Sequence, residues 1–144
     1  MNEAVSKLLE QKTERVETVT AQTSIGEAIA KMNARRIGSV VVMEGERLVG
    51  IFTERDVLTR VVPQQLDPRR TPVGEVMSRE PITISPSRTV EEALVIINNS
   101  RHRHLPVVQA GRLVGMVSIG DLTRWIVRDQ QRTIDDLTDY VCRA

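Results

Sequence analysis

The sequence has few of the features that mark exported or membrane proteins. Its 144 residues include a single cysteine, Cys142, which excludes a disulfide within the chain. The first 30 residues lack the apolar core of a signal peptide. No aliphatic run approaches the roughly 20 residues that a membrane helix requires. These absences predict a cytoplasmic protein without a membrane span.

The chain also has little net charge and few aromatic residues. The chain has 20 basic and 19 acidic residues and a net charge of +1, so no overall field attracts nucleic acid or an anionic membrane. Phe52, Trp125 and Tyr140 are the only aromatic residues, too few for a platform on which bases would stack. We therefore do not expect nucleic acid as a partner.

Metal and catalytic patterns are missing as well. The two histidines and the distant Cys142 do not match a known metal-ligand spacing. A nucleophile such as Ser118 or Thr53 would need a base, and no motif ties a histidine to either hydroxyl. The sequence predicts neither a metal site nor an enzyme.

An internal repeat is the dominant feature that is present. Residues 18–62 align with residues 83–127 without a gap, and 12 of these 45 positions are identical. The phrase GIFTERD, which ends at Asp56, returns as GMVSIGD, which ends at Asp121. Because a repeat defines the structural unit, we expect two copies of one fold unit.

Each copy predicts the element order β-α-β-β-α. A short strand, residues 16–20 or 81–84, precedes apolar residues at i, i+3, i+4 and i+7, which indicate an amphipathic helix. Two β-branched runs joined by a glycine-containing turn predict a hairpin, and a second helix begins near Thr53 or Ser118. This pattern predicts an α+β fold in which the proline-containing residues 63–72 connect the copies.

The ends of the chain add two flanking segments. Residues 73–77 predict a short helical turn, which is echoed by residues 5–9. Residues 128–141 predict a C-terminal helix whose apolar stripe needs a partner, either the chain's own core or a second subunit. We expect the domains to divide as 1–67, with the N-terminal helix, and 68–144, with the C-terminal helix.

The repeated phrase has two possible roles. In Thr53-x-x-Asp56 and Ser118-x-x-Asp121, a hydroxyl and an acid have the spacing of a capping box at a helix start. The same geometry can bind a nucleotide, because a helix N-terminus attracts phosphate and a carboxylate can accept both ribose hydroxyls. The residues alone leave both roles open.

The duplicated unit, with a Gly-apolar-apolar-Thr/Ser-x-x-Asp phrase in each copy, resembles a tandem pair of CBS domains, known as a Bateman module, over roughly residues 16–127. The resemblance implies two repeats packed sheet to sheet about a pseudo-twofold axis. It also implies two clefts for adenosine-containing ligands, namely AMP, ADP, ATP, S-adenosylmethionine or a nicotinamide dinucleotide such as NADH. In that family Asp56 and Asp121 would bind ribose, and Thr53 and Ser118 would contact ribose or phosphate.

Further ligand residues follow from the same resemblance. At the start of the second strand the candidates are Arg36, Ile37, Gly38 and Ser39 in one copy, and Arg101, His102, Arg103, His104 and Pro106 in the other. Arginine and histidine suit phosphate. Thr20 and Ile84 are candidates for the base pocket, with core packing as the alternative. Arg55, between Thr53 and Asp56, is placed to meet a phosphate. Because Arg55 is matched by Gly120, and Pro106 by Val41, we expect two unequal sites.

Two functions remain open at this point. The first is a regulatory sensor that binds an adenine nucleotide, needs no other cofactor and acts in trans on a partner protein. The second is a non-catalytic dimerisation or docking scaffold without a physiological nucleotide. The resemblance implies a homodimer of CBS pairs in either case.

Overall fold

Two copies of one mixed unit follow each other along the chain. The structure, a computed structural model, describes residues 3–13, 15–100 and 102–143. A π-helical turn, Val57–Val61, continues α3, and a 3-10 turn, Val73–Glu75, precedes β4. The helices and strands are α1 (Val5–Gln11), β1 (Thr18–Thr20), α2 (Ile25–Arg35), β2 (Ser39–Glu44), β3 (Arg47–Thr53), α3 (Glu54–Asp56), β4 (Ser78–Arg79), α4 (Val90–Ser100), β5 (His104–Gln109), β6 (Arg112–Ser118) and α5 (Ile119–Arg143).

The first unit is built on a four-stranded sheet. Strands β1 to β4 lie in sequence order, with β1 parallel to β2 and the other pairs antiparallel. Helix α2 begins after Ser24, whose Oγ accepts the N–H of Glu27 at 3.2 Å. Its apolar face packs Ile25, Ala28 and Met32 into the core beneath the sheet. The helix predicted from this periodicity is confirmed.

The second unit has a smaller sheet. Strands β5 and β6 pair antiparallel, and an isolated parallel bridge joins Ile84 to Val107 where the first unit has β1. The strand predicted over residues 81–84 is therefore wrong in extent. Pro81 and Pro86 flank the bridge, and neither can donate a backbone hydrogen bond to a ladder.

The two sheets pack against each other. Val41 and Ile51 of the first unit share a buried cluster with Met116 of the second. Val40 and Val42, the neighbours of Val41, belong instead to the core beneath α2, as the alternation of side chains along a strand requires. The predicted α+β fold of a duplicated unit, packed sheet to sheet, is confirmed.

Helix α1 packs on the second unit although it comes first in the chain. Val5 and Leu8 are buried in the core of the second unit. Leu9 covers Gly115 so closely that a Cβ built at the glycine would lie 2.7 Å from Leu9 Cδ2. The end of α1 is thereby fixed beside β6. The division of the chain into domains at 1–67 and 68–144 stays a prediction.

The last helix is longer than predicted. The helix after the second hairpin and the helix predicted over 128–141 are one 25-residue helix, α5. No proline or glycine occurs in residues 121–143, so nothing local ends the helix between them. Leu122 packs in the second core, whereas residues 130–142 are all exposed. Within the described residues, no helix, α5 included, has both the length and the apolar character to cross a membrane.

Candidate functional site

Both copies of the repeated phrase form reciprocal caps where a strand meets a helix. Thr53 N donates to Asp56 Oδ2 at 2.9 Å, and Asp56 N donates to Thr53 Oγ1 at 3.3 Å. Ser118 N donates to Asp121 Oδ2 at 2.9 Å, and Asp121 N donates to Ser118 Oγ at 3.1 Å. The capping role is therefore present in both copies, and it holds each carboxylate at the start of a helix.

The first carboxylate lies inside the protein. Asp56 is only 5% exposed, and its Oδ1 lies 3.5 Å from the donor Ser78 Oγ and 3.8 Å from Arg60 Nε. Arg60 is itself fixed, because its Nη1 donates to the carbonyls of Val76 and Met77 at 3.0 Å each. Asp56 thus has protein partners on both oxygens and little access to solvent.

The second carboxylate faces a cavity of about 980 Å³ between the units. Ligand sites for small molecules usually measure about 300–1,000 Å³, so this space accommodates a nucleotide-sized molecule. Ser118 and Asp121 form part of its wall, and residues of both units and of the N-terminal segment complete it. These include Lys12, Arg15, Thr18, Arg36, Ile37, Gly38, Ser39, His104, Arg112 and Arg124.

Two cations hold the Asp121 carboxylate. Lys12, which follows α1, donates from Nζ to Asp121 Oδ2 at 2.8 Å and to the carbonyl of Met116 at 2.9 Å. Arg124, one turn along α5, donates from Nη2 to Asp121 Oδ1 at 2.7 Å. Each carboxylate oxygen therefore accepts a hydrogen bond from a positive group.

Asp121 is ionised at neutral pH. Burial raises the pKa of this carboxyl, but the hydrogen bonds from Lys12 and Ser118 outweigh burial and leave the pKa below its ordinary value of 3.8. An ionised carboxylate only accepts hydrogen bonds. The cavity thus presents a fixed acceptor that is suited to hydroxyl groups.

His104 lies where the two units meet. A Cβ built at Gly38 of the first unit would lie 3.4 Å from His104 Cε1 of the second, and 3.4 Å from Glu54 Cδ. Burial lowers the pKa of His104 below 6.5, although the nearby Glu54 acts in the opposite direction. At neutral pH the imidazole is uncharged, so it can donate one hydrogen bond and accept another.

The structure brings seven of the predicted ligand residues to the cavity, whereas seven others lie elsewhere and His102 is exposed at the surface. Those at the cavity are Arg36, Ile37, Gly38, Ser39, His104, Ser118 and Asp121. The cavity wall does not include Thr20, Thr53, Arg55, Asp56, Ile84, Arg103 or Pro106. Arg101, a further candidate, lies outside the described residues. The cavity therefore draws on the second copy of the phrase and on the strand start of the first copy.

The predicted residues away from the cavity have local structural contacts. Ile84 is buried in the core of the second unit, and its N–H donates to the carbonyl of the buried Pro106 at 3.0 Å. Thr20 N donates to Thr23 Oγ1 at 3.1 Å within a turn. Core packing is thus the role that the structure shows for Ile84.

Sequence reasoning missed Lys12 and Arg124. Lys12 lies 109 residues from Asp121 and outside the repeat, so no motif connects the two. The similarity between residues 5–9 and 73–77 was the one sequence signal for the position of Lys12. It is consistent with an equivalent place for the two segments on their sheets, because Leu9 packs on Gly115 as Met77 packs on Gly50. Arg124 lies three residues after Asp121, a spacing at which helical acid and base side chains meet.

Comparisons with known proteins agree with this fold and with the doubled phrase. A sequence model of the CBS domain matches residues 5–63 and 73–128. CBS domain-containing protein YhcV of Bacillus subtilis (strain 168) is 36% identical over 118 residues, which are 82% of this chain and 84% of YhcV. The chain therefore belongs to the CBS-domain family. Proteins of this family are generally regulatory rather than catalytic.

Solved structures show the same fold. A CBS-domain protein from Burkholderia ambifaria MC40-6 has a TM-score of 0.85 and 34% identity, covering 89% of this chain and 96% of its own. PAE2072 from Pyrobaculum aerophilum, solved in complex with AMP, has a TM-score of 0.74 and 28% identity, covering 83% of this chain and 89% of its own. The superposed regions include both units.

Some relatives are much longer than the matched region. Mitochondrial CBSX3 of Arabidopsis thaliana is 33% identical over 127 residues, which are 85% of this chain and 62% of CBSX3. The match to CBSCBSPB1 of the same plant spans 71% of this chain but only 19% of that protein. These relatives extend well beyond the paired unit.

Proposed function

We propose that the protein is a regulatory module that binds an adenine nucleotide in the cavity at Asp121 and acts in trans on a partner protein. One observation carries the proposal: an ionised, partly buried carboxylate at a helix N-terminus faces a nucleotide-sized cavity lined by both units. PAE2072, which shares the fold, is complexed with AMP, and this supports an adenine nucleotide as the ligand.

Asp121 is proposed to bind the ribose. A carboxylate offers about four lone-pair sites, and three are in use: Oδ2 accepts from Ser118 N and Lys12 Nζ, and Oδ1 accepts from Arg124 Nη2. Oδ1 can therefore accept one ribose hydroxyl directly, and a second hydroxyl would replace the contact with Lys12 or Arg124. The short cation contacts keep the carboxylate ionised and oriented at 2.8 and 2.7 Å. Ser118, at the same helix start, is proposed to contact ribose or phosphate.

Cations in the cavity are proposed to hold the phosphates. Lys12, Arg15, Arg36, Arg112 and Arg124 line the cavity together with three carboxylates. Guanidinium groups bind phosphate through two parallel hydrogen bonds, and the N-terminus of α5 adds a favourable dipole. AMP, ADP, ATP and NADH are the candidate ligands, and Ile37, Gly38, Ser39 and His104 are proposed to border the base.

The first copy of the phrase is proposed as a second, weaker site. A ribose at Asp56 would have to displace Ser78 or Arg60, because the carboxylate is 5% exposed and already paired. Such a displacement lowers affinity by the free energy of the lost contacts. The ligand roles of Thr20, Thr53, Arg55, Ile84, Arg103 and Pro106 stay predictions.

We further propose that the module has no catalytic activity of its own, works as a homodimer and resides in the cytoplasm. The family's generally regulatory character supports the first point. The exposed apolar residues of α5 support the second. The alternative function is a docking scaffold in which the acids serve as helix caps, an account that the two capping boxes favour.

Thermal unfolding with a ligand series separates the two functions. AMP, ADP, ATP, NADH, NAD and S-adenosylmethionine are added to the purified chain, with GMP as a control for the base. A ligand at 100 times its dissociation constant stabilises the folded state by about 2.7 kcal/mol. A shift with an adenine nucleotide but not with GMP supports the sensor. No shift with any of them supports the scaffold.

A further inference from the structure

A second cavity lies where the end of α1 meets the first turns of α5. Its volume is about 510 Å³, and its described wall draws on residues 8–13 and 121–128 alone. It adjoins the cavity between the units, because Lys12, Asp121 and Arg124 line both. We call it the α5 cavity, and the wall residues that bear on its chemistry are Lys12, Asp121, Arg124, Trp125 and Arg128.

The α5 cavity has an excess of positive charge. Lys12, Arg124 and Arg128 contribute three positive charges to its described wall, and Asp121 contributes the only negative one, so the formal charge is 3 − 1 = +2. A phosphate group on a protein carries a charge of about −1.5 to −2 at pH 7. The charge of the cavity therefore favours a phosphate over a singly charged carboxylate.

The cations of the α5 cavity retain donors that the protein does not use. A guanidinium has five N–H donors, and Arg124 uses one of them on Asp121. Lys12 has three, and it donates to Asp121 and to the carbonyl of Met116. The side chain of Arg128 has no hydrogen bond or ion pair with the residues that the structure describes. Phosphate oxygens can accept these donors, and guanidinium groups bind them in pairs.

The spacing of the two arginines also favours an anion. Arg124 and Arg128 are four residues apart on α5, so their side chains are neighbours on one face of the helix. Like charges at this spacing repel each other unless an anion lies between them. Trp125 lines the same cavity, and its Nε1 is a buried donor without an acceptor among the described residues. The wall therefore has more donors than acceptors.

We propose that the α5 cavity binds a phosphate or pyrophosphate group through Arg124, Arg128 and Lys12. The wall that it shares with the cavity between the units lies at the proposed ribose site, so the outer phosphates of ADP or ATP are one source of this group. That source rests on the proposed function, whereas free pyrophosphate does not. With a nucleotide as the source, the α5 cavity distinguishes ATP from AMP by the number of phosphates.

Calorimetric titration at one ionic strength tests the site in the full-length chain. AMP, ATP and inorganic pyrophosphate are titrated into the natural chain, Arg128→Gln and Arg132→Gln. Arg128→Gln should weaken the binding of ATP and pyrophosphate by at least about tenfold, because it removes a hydrogen-bonded charge, and should change that of AMP by less than about twofold.

Arg132→Gln is the matched control. Arg132 is an exposed arginine one turn beyond Arg128 and is not part of the described wall of the α5 cavity. Its replacement should change each affinity by less than about twofold, because solvent and salt screen a charge outside the site. Thermal unfolding of both variants without ligand shows whether they are folded.

The fluorescence of Trp125 locates the bound group. Trp125 is the only tryptophan of the chain, and it lines the α5 cavity but is not in the described wall of the cavity between the units. Pyrophosphate should change its emission in the natural chain. The same change should require at least about tenfold more pyrophosphate in Arg128→Gln, in line with the weaker binding.

The outcomes separate this proposal from the proposed function. If ATP and pyrophosphate both depend on Arg128, the group is the tail of a nucleotide. If pyrophosphate depends on Arg128 but no adenine nucleotide binds, the cavity holds a free anion and only the proposed function fails. The proposal is overturned if Arg128→Gln binds both ATP and pyrophosphate as Arg132→Gln does, or if pyrophosphate binds without changing the emission of Trp125.

Discussion

At the scale of the residue, Asp121 and Asp56 show how identical motifs acquire different surroundings. Each carboxylate accepts the N–H of the hydroxyl residue three positions earlier. Lys12 then meets Asp121 at the edge of a cavity, whereas Ser78 meets Asp56 in the interior. The segments that contribute these contacts lie outside the repeated phrase. The motif therefore defines the cap, and the flanking segment determines access to the carboxylate.

Loss of the lysine contact should weaken the fold in a pH-dependent way. Lys12→Met removes both hydrogen bonds of Lys12, to Asp121 and to the carbonyl of Met116, and should lower the free energy of unfolding at pH 7 by about 1.5–3 kcal/mol. The pKa of Asp121 is lower in the folded protein than its ordinary value of 3.8, which applies to the unfolded chain. The stability that the ionised carboxylate contributes is therefore complete above pH 3.8 and is lost as pH falls through the folded pKa.

Urea unfolding of the natural chain and of Lys12→Met measures this contribution. The difference between them should shrink from pH 7 to about pH 2. Lys7→Met is the matched control, because the contact of Lys7 with Glu3 is exposed and worth at most about 1 kcal/mol. An equal loss at both pH values would show that Lys12 acts through packing alone.

His104 should make stability fall in mild acid. Its pKa is lowered by burial, and the charged groups that affect it are Glu54, Lys12, Asp121 and Arg103. The unfolded chain then takes up a proton at higher pH than the folded protein. Stability is therefore lost as pH drops below 6.5 through the folded pKa.

Thermal unfolding between pH 7.5 and 5 measures the slope of stability against pH. His104→Asn should reduce it, while His102→Asn should leave it unchanged because His102 is exposed. If the slope persists in His104→Asn, another group is responsible for the acid sensitivity.

At the scale of the element, the accurate predictions rest on local periodicity. Helix α2 and the hairpin of β2 and β3 follow from patterns within about ten residues, and both form as expected. The strand over 81–84 and the break in α5 were predicted wrongly. The prolines around Ile84 limit its pairing to one bridge, and the outer part of α5 has no local signal that ends it.

Only the part of the site that belongs to the repeat was predictable from the sequence. Ser118 and Asp121 lie at the cavity because a strand runs directly into a helix, and this junction is visible in the sequence. Lys12 was not predictable, since its contact with Asp121 depends on where α1 packs. Burial of Asp56 likewise depends on tertiary contacts that no local pattern contains.

The glycine of each repeated phrase, Gly50 or Gly115, lies where a flanking segment crosses the sheet. Substitution of the two glycines by alanine should lower the free energy of unfolding by different amounts. A Cβ at Gly50 would lie 2.5 Å from Met77 Sδ and 2.9 Å from the backbone carbonyl of Ser78. The three atoms nearest to a Cβ at Gly115 all belong to the Leu9 side chain, and the first of them, Cδ2, lies at 2.7 Å. A side-chain end can rotate away, whereas a paired strand cannot move without losing its hydrogen bonds.

Gly50→Ala should therefore lower the free energy of unfolding by about 1–3 kcal/mol, as overpacked substitutions do, and Gly115→Ala should lower it by less. Urea denaturation of the two variants gives the comparison directly. A larger loss for Gly115→Ala would mean that α1, rather than β4, is the more rigidly packed segment.

At the scale of the whole molecule, the proposed nucleotide site and the exposed apolar residues of α5 lie on one helix. Asp121 lies in the first turn of α5, and Val127 is the first of the exposed apolar residues on the same helix. The cavity joins Ile37 and Ser39 of the first unit to Ser118 of the second. A ligand there would contact both units at once and would stabilise their relative position. One small molecule in this cavity can therefore stabilise the relative position of both units and of α5, which begins at the cavity and extends beyond the second unit.

The most direct test of nucleotide binding at Asp121 is isothermal titration calorimetry with AMP and ATP on the natural chain, Asp121→Asn and Asp56→Asn. Asparagine keeps the size of the side chain and one oxygen for the cap to the backbone, but its NH2 group cannot accept a hydrogen bond from Arg124 at position 121 or from Ser78 at position 56. Each variant therefore removes one charge and one acceptor, and thermal unfolding of both variants shows whether they are folded. We predict that Asp121→Asn abolishes the tightest binding, while Asp56→Asn retains it. Unchanged binding in Asp121→Asn, with the variant fully folded, would contradict the assignment of the ribose site.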